Sequence, residues 1–244
     1  MRGREVGRVA ALLRYPVKSM QAEALEAVDV GWHGLAGDRR WAFIRDGMMR
    51  SGFPWLTIRE RSDMGCYQPW LVEPARPDVS PTMVRTPSGD EFDVVDPALA
   101  AELGHGTRHG VRVIKQDRGI FDTMPLSLIT TQTVASLSAL TNVDLDVRRF
   151  RSNIVVESTG STPFAEDVWV GLTLRIGNME NGMRMRVDQR DRRCVVVNVD
   201  PVTTQRDPTI LRALARERQS CLGVYGSTVQ AGHVAVGDSV VIET

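Results

Sequence analysis

Arg190, Arg192 and Arg193 stand immediately before Cys194. The thiolate, not the thiol, is the nucleophile and the metal ligand, and neighbouring guanidinium groups favour the ionised form. Cys194 is therefore the strongest candidate for sulfur chemistry, as a nucleophile or as a ligand to a soft metal. A second reading stays open. Cysteine is among the most often buried residues, and Val195 to Val199 continues as a strand pattern, so Cys194 can simply begin a buried strand. Cys66, set among Met64, Tyr67 and Trp70, reads as a core residue. Cys221 follows a helical pattern with nothing local to activate it.

A second chemistry, anion binding, is spread over three short segments. Tyr15-Pro16-Val17-Lys18-Ser19 sets a lysine and a hydroxyl after a proline-broken strand, in a chain whose only other lysine is Lys115. Lysine acts on a phosphate as a point charge and serine as a donor. The glycine-rich loop of nucleotide P-loops is absent, so that class is rejected. Gly37-Asp38-Arg39-Arg40-Trp41 and Arg149-Phe150-Arg151-Ser152-Asn153 add guanidinium forks and an amide. Together the three suit a small, polar, anionic ligand; each alone reads as surface charge. His105 and His109 are four apart, but Gly104, Gly106 and Gly110 argue against the helix that would align them as metal ligands. No serine, histidine and aspartate arrangement resembles a nucleophile elbow.

The elements that must position these residues are mostly strands. Val6 to Arg14 is an apolar run ended by Tyr15-Pro16; Leu25 to Val30 alternates; a further strand spans Arg40 to Arg45. Asp46-Gly47 is a turn signal after which the chain is expected to pair back as a hairpin. Short strands follow at Met83 to Thr86, Glu91 to Val94 and Val111 to Lys115, and His233 to Ile242 reads as a closing strand pair around Gly237-Asp238. Two helices are predicted. One has Thr131 or Thr133 as cap and Val134, Leu137 and Leu140 as its stripe. The other has Asp207 as cap, Pro208 at its first position and Ile210, Leu211 and Leu214 as its stripe. This pattern predicts a mainly β, α+β fold, a barrel or sandwich rather than βαβ units.

The bulk properties agree. A chain of 244 residues, 42% hydrophobic, can bury one sizeable core or two smaller ones. Thirty basic and thirty acidic side chains cancel, which gives no footprint for nucleic acid. Three cysteines without a CxxC spacing exclude a disulfide framework or zinc site as the organising principle and fit a reducing, cytoplasmic setting. The apolar stretch Val9 to Leu13 is too short for a secretory segment, and no run approaches membrane-spanning length.

The ordered segments Tyr15–Ser19, Gly37–Trp41, Pro54-Trp55-Leu56-Thr57, Pro125-Leu126-Ser127-Leu128-Ile129, Arg149–Asn153, Phe164-Ala165-Glu166-Asp167-Val168-Trp169, Arg193-Cys194 with Val199-Asp200-Pro201, and the run from Gly232 to Val240 resemble the MOSC superfamily, named for the molybdenum cofactor sulfurase C-terminal domain. The resemblance extends from about Val6 to Ile242. It implies an N-terminal MOSC β-barrel-like domain over 1–115 and a MOSC domain over 116–244. It further implies that Lys18, Ser19, Arg39, Arg151, Asn153, Arg193 and Tyr225 hold a molybdenum–molybdopterin cofactor and that Cys194 ligates the metal. Relatives resembling the amidoxime-reducing component reduce N-hydroxylated compounds: the reduced metal takes the oxygen, and two electrons and two protons regenerate it. The expected function is thus a molybdenum-dependent oxidoreductase acting on a small-molecule N-hydroxyl or N-oxide substrate. A separate reductase would supply electrons, with no nucleic-acid or membrane partner. Arg192 stands where that branch often has serine, and the ferredoxin-like extension that some bacterial members carry is not expected here. Two alternatives remain at this stage. One is a cysteine enzyme of thiol or sulfur-transfer chemistry with no cofactor; the other is a non-catalytic cofactor carrier.

Overall fold

The computed structural model describes residues 3–243. In chain order it holds β1 (Gly3–Arg14), β2 (Glu23–Leu25), β3 (Ala27–Gly31), β4 (Gly34–Leu35), β5 (Trp41–Arg45), β6 (Gln68–Leu71), β7 (Thr82–Arg85), β8 (Glu91–Asp93), helix α1 (Pro97–Gly104) and β9 (Val111–Lys115). There follow β10 (Leu126–Thr130), α2 (Thr131–Thr141), β11 (Ile154–Ser158), β12 (Thr173–Ile176), β13 (Met183–Arg192), α3 (Pro208–Arg218), β14 (Cys221–Gln230), β15 (Gly232–Ala235) and β16 (Ser239–Glu243).

Seven strands close into a barrel in the order β11-β10-β14-β13-β12-β16-β1, with β1 returning to β11. Closure leaves no open edge for a stray strand to pair with. Register shifts within β1, between Glu5 and Gly7 and between Val9 and Ala11, break strict alternation, and Val6, Val9 and Leu12 are all buried in the barrel core with Leu128, Ile154, Val156, Met185, Val187 and Val224. Only β10 and β11 run parallel, and helix α2 makes the crossover that parallel pairing requires. The first strand, β1, is therefore part of a barrel whose other strands all come from the second half of the chain. Outside the barrel lie the sheets β15-β3-β4, β5-β9 and β6-β7-β8. A second core around Phe43, Leu56, Met64, Tyr67, Leu99 and Leu103 holds the latter sheets and α1 together. A third packs α2 and α3 against the barrel wall through Leu137, Phe150, Ile210, Leu214 and Leu222.

The fold is mainly β with three helices, as the strand spacing predicts. Several local expectations are corrected. Val195 to Asn198 is a 3-10 turn, not a strand: the amide of Arg193 is bound to Ser220 O at 2.7 Å and that of Val197 folds back onto Cys194 O at 3.1 Å. Asp46-Gly47 does turn, with Gly47 at φ 77°, but β5 pairs with β9 from Trp41↔Lys115 to Arg45↔Val111, and the returning chain touches it only at an Ile44–Trp55 bridge. Leu25 to Val30 divides between β2, which joins β1, and β3, which joins β15. Likewise β15 and β16 do not pair with each other; β16 joins β1 and β12. Helix α2 is capped by Thr130, whose hydroxyl accepts from Thr133 N. Helix α1 is an addition, with Asp96 accepting from Ala98 N and Pro97 opening it, the same signal that marks α3. No helix among the described residues is long and apolar enough to cross a membrane.

Candidate functional site

Two loop motifs and the segment before β11 interlock around one buried carboxylate. Asp38, fully buried, accepts from Tyr15 N at 2.7 Å through Oδ1. Its Oδ2 accepts from Asn153 Nδ2 at 3.1 Å and from Arg39 Nη1. Arg39 in turn donates through its backbone amide to Tyr15 O at 2.6 Å and through Nη2 to Arg151 O at 2.9 Å. The Tyr15 ring lies against both guanidinium groups, 4.6 Å from Arg39 and 4.3 Å from Arg151, an arrangement in which the ring quadrupole offsets cationic charge. Lys18 is fixed from the backbone side by a bond from its amide to Trp41 O at 2.8 Å. Segments 112 and 115 residues apart are thus tied by hydrogen bonds that sequence spacing does not reveal.

Three of these residues carry backbone strain. Ser19, Arg39 and Arg151 have φ of 69°, 49° and 55°, a region that costs an L-residue about 1–2 kcal/mol. Glycine would relieve it, yet the chain retains side chains that can bind. Such outliers gather where local geometry serves a site.

The cavity that results measures about 210 Å³ and brings together every residue implicated by sequence: Lys18, Ser19, Arg39, Arg151, Asn153, Arg193, Cys194 and Tyr225 all line it. It sits where β10, β13 and β14 meet the chain entering β11. Ser127 and Tyr225 are paired across β10 and β14, and Tyr225 faces Gln189 of β13. A register shift between Arg190 and Arg192 turns Asp191 inward and leaves Arg192 exposed. Asp191 then pairs with Arg193 Nη1 at 2.8 Å and accepts from Ser127 Oγ at 3.4 Å. Arg193 is further fixed by Leu222 O at 2.7 Å and Phe150 O at 2.6 Å. Gly223 has φ 72°, and a Cβ there would meet Leu128 O at 2.7 Å and Arg193 Nη2 at 3.2 Å, so glycine keeps that fork in place.

Seven cationic side chains line the cavity (Lys18, Arg39, Arg59, Arg149, Arg151, Arg192 and Arg193) against two carboxylates, Asp122 and Asp191. Burial holds Lys18 below the usual lysine range, although Asp122 at 2.5 Å works against it. Burial, with Arg39 beside it, brings Arg151 down to about 10. Arg39 goes the other way: burial opposes its charge, but Asp38 and Tyr15 outweigh that and hold it above its ordinary value. Burial and Asp191 push Tyr225 up to about 12, so it stands as a neutral donor. Of the lining residues, two terminal guanidinium nitrogens, Arg151 Nη2 and Arg193 Nη2, and one inner nitrogen, Arg149 Nε, are buried with no hydrogen-bond partner among the described residues. Unpartnered buried donors of this kind are costly and mark a place where an acceptor belongs.

Sequence reasoning missed three residues. The guanidinium on the Cys194 sulfur comes from Arg59, with Nη2 at 3.3 Å, in the loop after Pro54–Thr57. Its neighbours in sequence, Arg190 and Arg193, are engaged elsewhere, with Asp167 and Asp191. Asp122 bridges Lys18 and Arg59, the latter at 3.6 Å. Asp38 is the hub described above. The loops 46–65 and 117–124 contribute Thr57 to Arg59 and Phe121 to Met124 to the lining. Cys66 and Cys221 do not line the cavity.

The residues present fit an anionic, metal-bearing cofactor. Orphaned buried donors and a surplus of cations call for a polyanion, and a single thiol suits a soft metal that brings its other ligands on its carrier.

Comparison with known proteins follows the same lines. The family model described as MOSC domain matches residues 108–241, and that described as MOSC N-terminal beta barrel domain matches residues 6–64. Mitochondrial amidoxime reducing component 2 of Bos taurus is 25% identical over 297 aligned positions, covering 97% of this chain and 83% of that protein. Molybdenum cofactor sulfurase of Caenorhabditis briggsae is 34% identical over 120 positions, 48% of this chain but 16% of the sulfurase. Among solved structures, the YuaD protein from Bacillus subtilis superposes with a TM-score of 0.54 at 12% identity, covering 99% of this chain and 98% of that one, a likeness of fold.

Proposed function

The chain belongs to the MOSC domain family, and from that premise we propose that it is a molybdenum-cofactor-dependent oxidoreductase that reduces N-hydroxylated or N-oxide small molecules. The observation that carries the proposal is the pairing of Cys194 with a cavity whose buried Arg151 and Arg193 nitrogens lack acceptors. A relative named for amidoxime reduction aligns over nearly the whole chain and supplies the reaction class.

In this reading Lys18, Ser19, Arg39, Arg151, Asn153, Arg193 and Tyr225 hold the cofactor, and Cys194 is the protein's ligand to its metal. When bound, the cofactor supplies two-electron oxygen-transfer chemistry at a soft metal. The chain's own residues bind, orient and screen. Arg151 and Arg193 each keep a buried, unpartnered N–H at the cavity wall, which a small side-chain shift would turn to an oxyanion. Asn153 is locked by Asp38 and Leu13 O and donates no wrong-facing amide. Neutral Tyr225 is a hydrogen-bond donor beside Asp191. Overall, the N–O bond of the substrate breaks, two electrons and two protons enter, and water leaves. A separate reductase protein is the electron source.

Metal-free thiol chemistry is the second reading, favoured by Arg59 on the sulfur of Cys194 at 3.3 Å. Turnover of benzamidoxime with an artificial electron donor tests the first reading. Reduction that disappears in Cys194→Ser is expected; full activity in that variant contradicts the ligand assignment.

A further inference from the structure

The cations that line the cavity divide into two groups. The inner ones are committed to the interlocked scaffold. Arg59 and Arg192 are different: both line the cavity with Cys194, yet neither is needed to hold the fold. Arg192 is exposed, and among the described residues no carboxylate lies within ion-pair distance of it. Arg59 is 31% exposed; besides the Cys194 sulfur at 3.3 Å, its one carboxylate neighbour among the described residues is Asp122 at 3.6 Å, which Lys18 already holds at 2.5 Å. The backbone that carries Arg59 is braced. Arg206 Nη2 donates to Arg59 O at 2.9 Å and Ile58 O at 3.1 Å, and the Arg59 guanidinium rests on the Phe53 ring at 4.7 Å. A positioned guanidinium on the Cys194 sulfur and a second, unpaired one thus line the same cavity, while Phe121 and Met124 supply apolar wall.

Guanidinium forks recognise carboxylate and phosphate bidentately, and a pre-positioned fork loses less entropy on binding. Resting on the oxidoreductase reading above, we infer that Arg59 and Arg192 select the substrate: an N-oxygenated compound with a flat apolar body that also carries an oxyanion, a carboxylate or a phosphate. The apolar wall takes the body, the two guanidinium groups take the anion, and the N–O group is left facing the Cys194 side of the cavity. Neutral compounds of the same shape bind without the charge contact.

The test compares benzamidoxime with its 4-carboxylate and 4-phosphonate twins on protein purified from a cofactor-making host. Binding is measured by calorimetry and turnover by an artificial electron donor. The anionic twins are expected to bind about tenfold tighter than the neutral one, which corresponds to about 1.4 kcal/mol and to one charge-assisted hydrogen bond. That ratio is expected to fall towards one in Arg192→Gln and in Arg59→Gln, and to invert in Arg192→Glu. The two anionic twins tell carboxylate from phosphate-like recognition. No anionic preference in the wild-type protein overturns the inference, as does a preference that survives both glutamine variants, which would assign the anion to the inner cations. A preference for the anionic twins without reduction of any of the three leaves the ligand class standing and removes the reductase reading instead.

Discussion

Asp38→Asn removes one charge from a side chain with no solvent exposure, and its cost can be worked from the contacts. The carboxylate accepts from Tyr15 N, Asn153 Nδ2 and Arg39 Nη1. Asparagine can still accept one of these bonds, but its NH2 must then face Asn153 Nδ2 or Arg39 Nη1, a donor against a donor. Removing one partner of a buried ion pair costs about 3–5 kcal/mol, because the remaining charge is uncompensated. Arg39 retains Arg151 O and the more distant Asn153 Oδ1 at 3.3 Å, which points to the low end, about 3 kcal/mol. For a chain of 244 residues each kcal/mol corresponds to roughly 2–4 °C, so the melting temperature should fall by about 6–12 °C. Urea unfolding at pH 7 and a thermal scan read the two quantities, and cofactor content should fall with them, since Arg39 and Asn153 lose their common anchor. A loss below about 1 kcal/mol would refute the view that Asp38 organises the site.

Lys18→Ala and Arg151→Ala should each lower cofactor occupancy after purification; unchanged occupancy in both, by metal and pterin analysis, would place the phosphate site elsewhere. Binding of inorganic phosphate to the cofactor-free protein should weaken as pH rises through about 10, where Arg151 loses its proton; Lys18, lowered by burial, acts in the same direction. Equal affinity at pH 8 and pH 11 in a calorimeter would contradict that. Glu166 is fully buried against the hydroxyls of Thr130 and Thr133 at 3.0 and 2.8 Å, and burial raises its pKa despite those bonds. A raised folded-state value means its contribution is present at low pH and lost as pH rises through that value. Glu166→Gln should therefore gain stability relative to wild type between pH 4.5 and pH 8, and a relative loss over that range by urea unfolding would reverse the assignment.

The sequence alone makes Cys194 and the three cationic segments visible because residue type and immediate neighbours carry that information. The apolar run Val6 to Arg14, ended by Tyr15-Pro16, shows β1, and Asp207-Pro208 shows α3, since breakers and caps are local. What stayed hidden is long-range. The hairpin expected after Asp46-Gly47 forms only as a single antiparallel bridge at Ile44–Trp55, while the long pairing of β5 is with β9, more than sixty residues on, because a turn signal fixes only where the chain bends. The expected Val195–Val199 strand failed because the Arg193 amide is taken by Ser220, a contact absent from any local pattern. Arg59 lies 135 residues from Cys194, so the guanidinium that meets the sulfur could not be distinguished from other arginines. Helix α1 was legible through Asp96-Pro97 and was overlooked for its short, weakly patterned body.

The central claim is that Cys194 and the cationic cavity hold a molybdenum cofactor, and the most direct measurement is the metal and pterin content of protein purified from a host that makes it. The account predicts near-stoichiometric molybdenum and pterin in the wild type and loss of the metal in Cys194→Ser. Folded wild-type protein with neither molybdenum nor pterin would contradict it and favour metal-free chemistry at the same thiol.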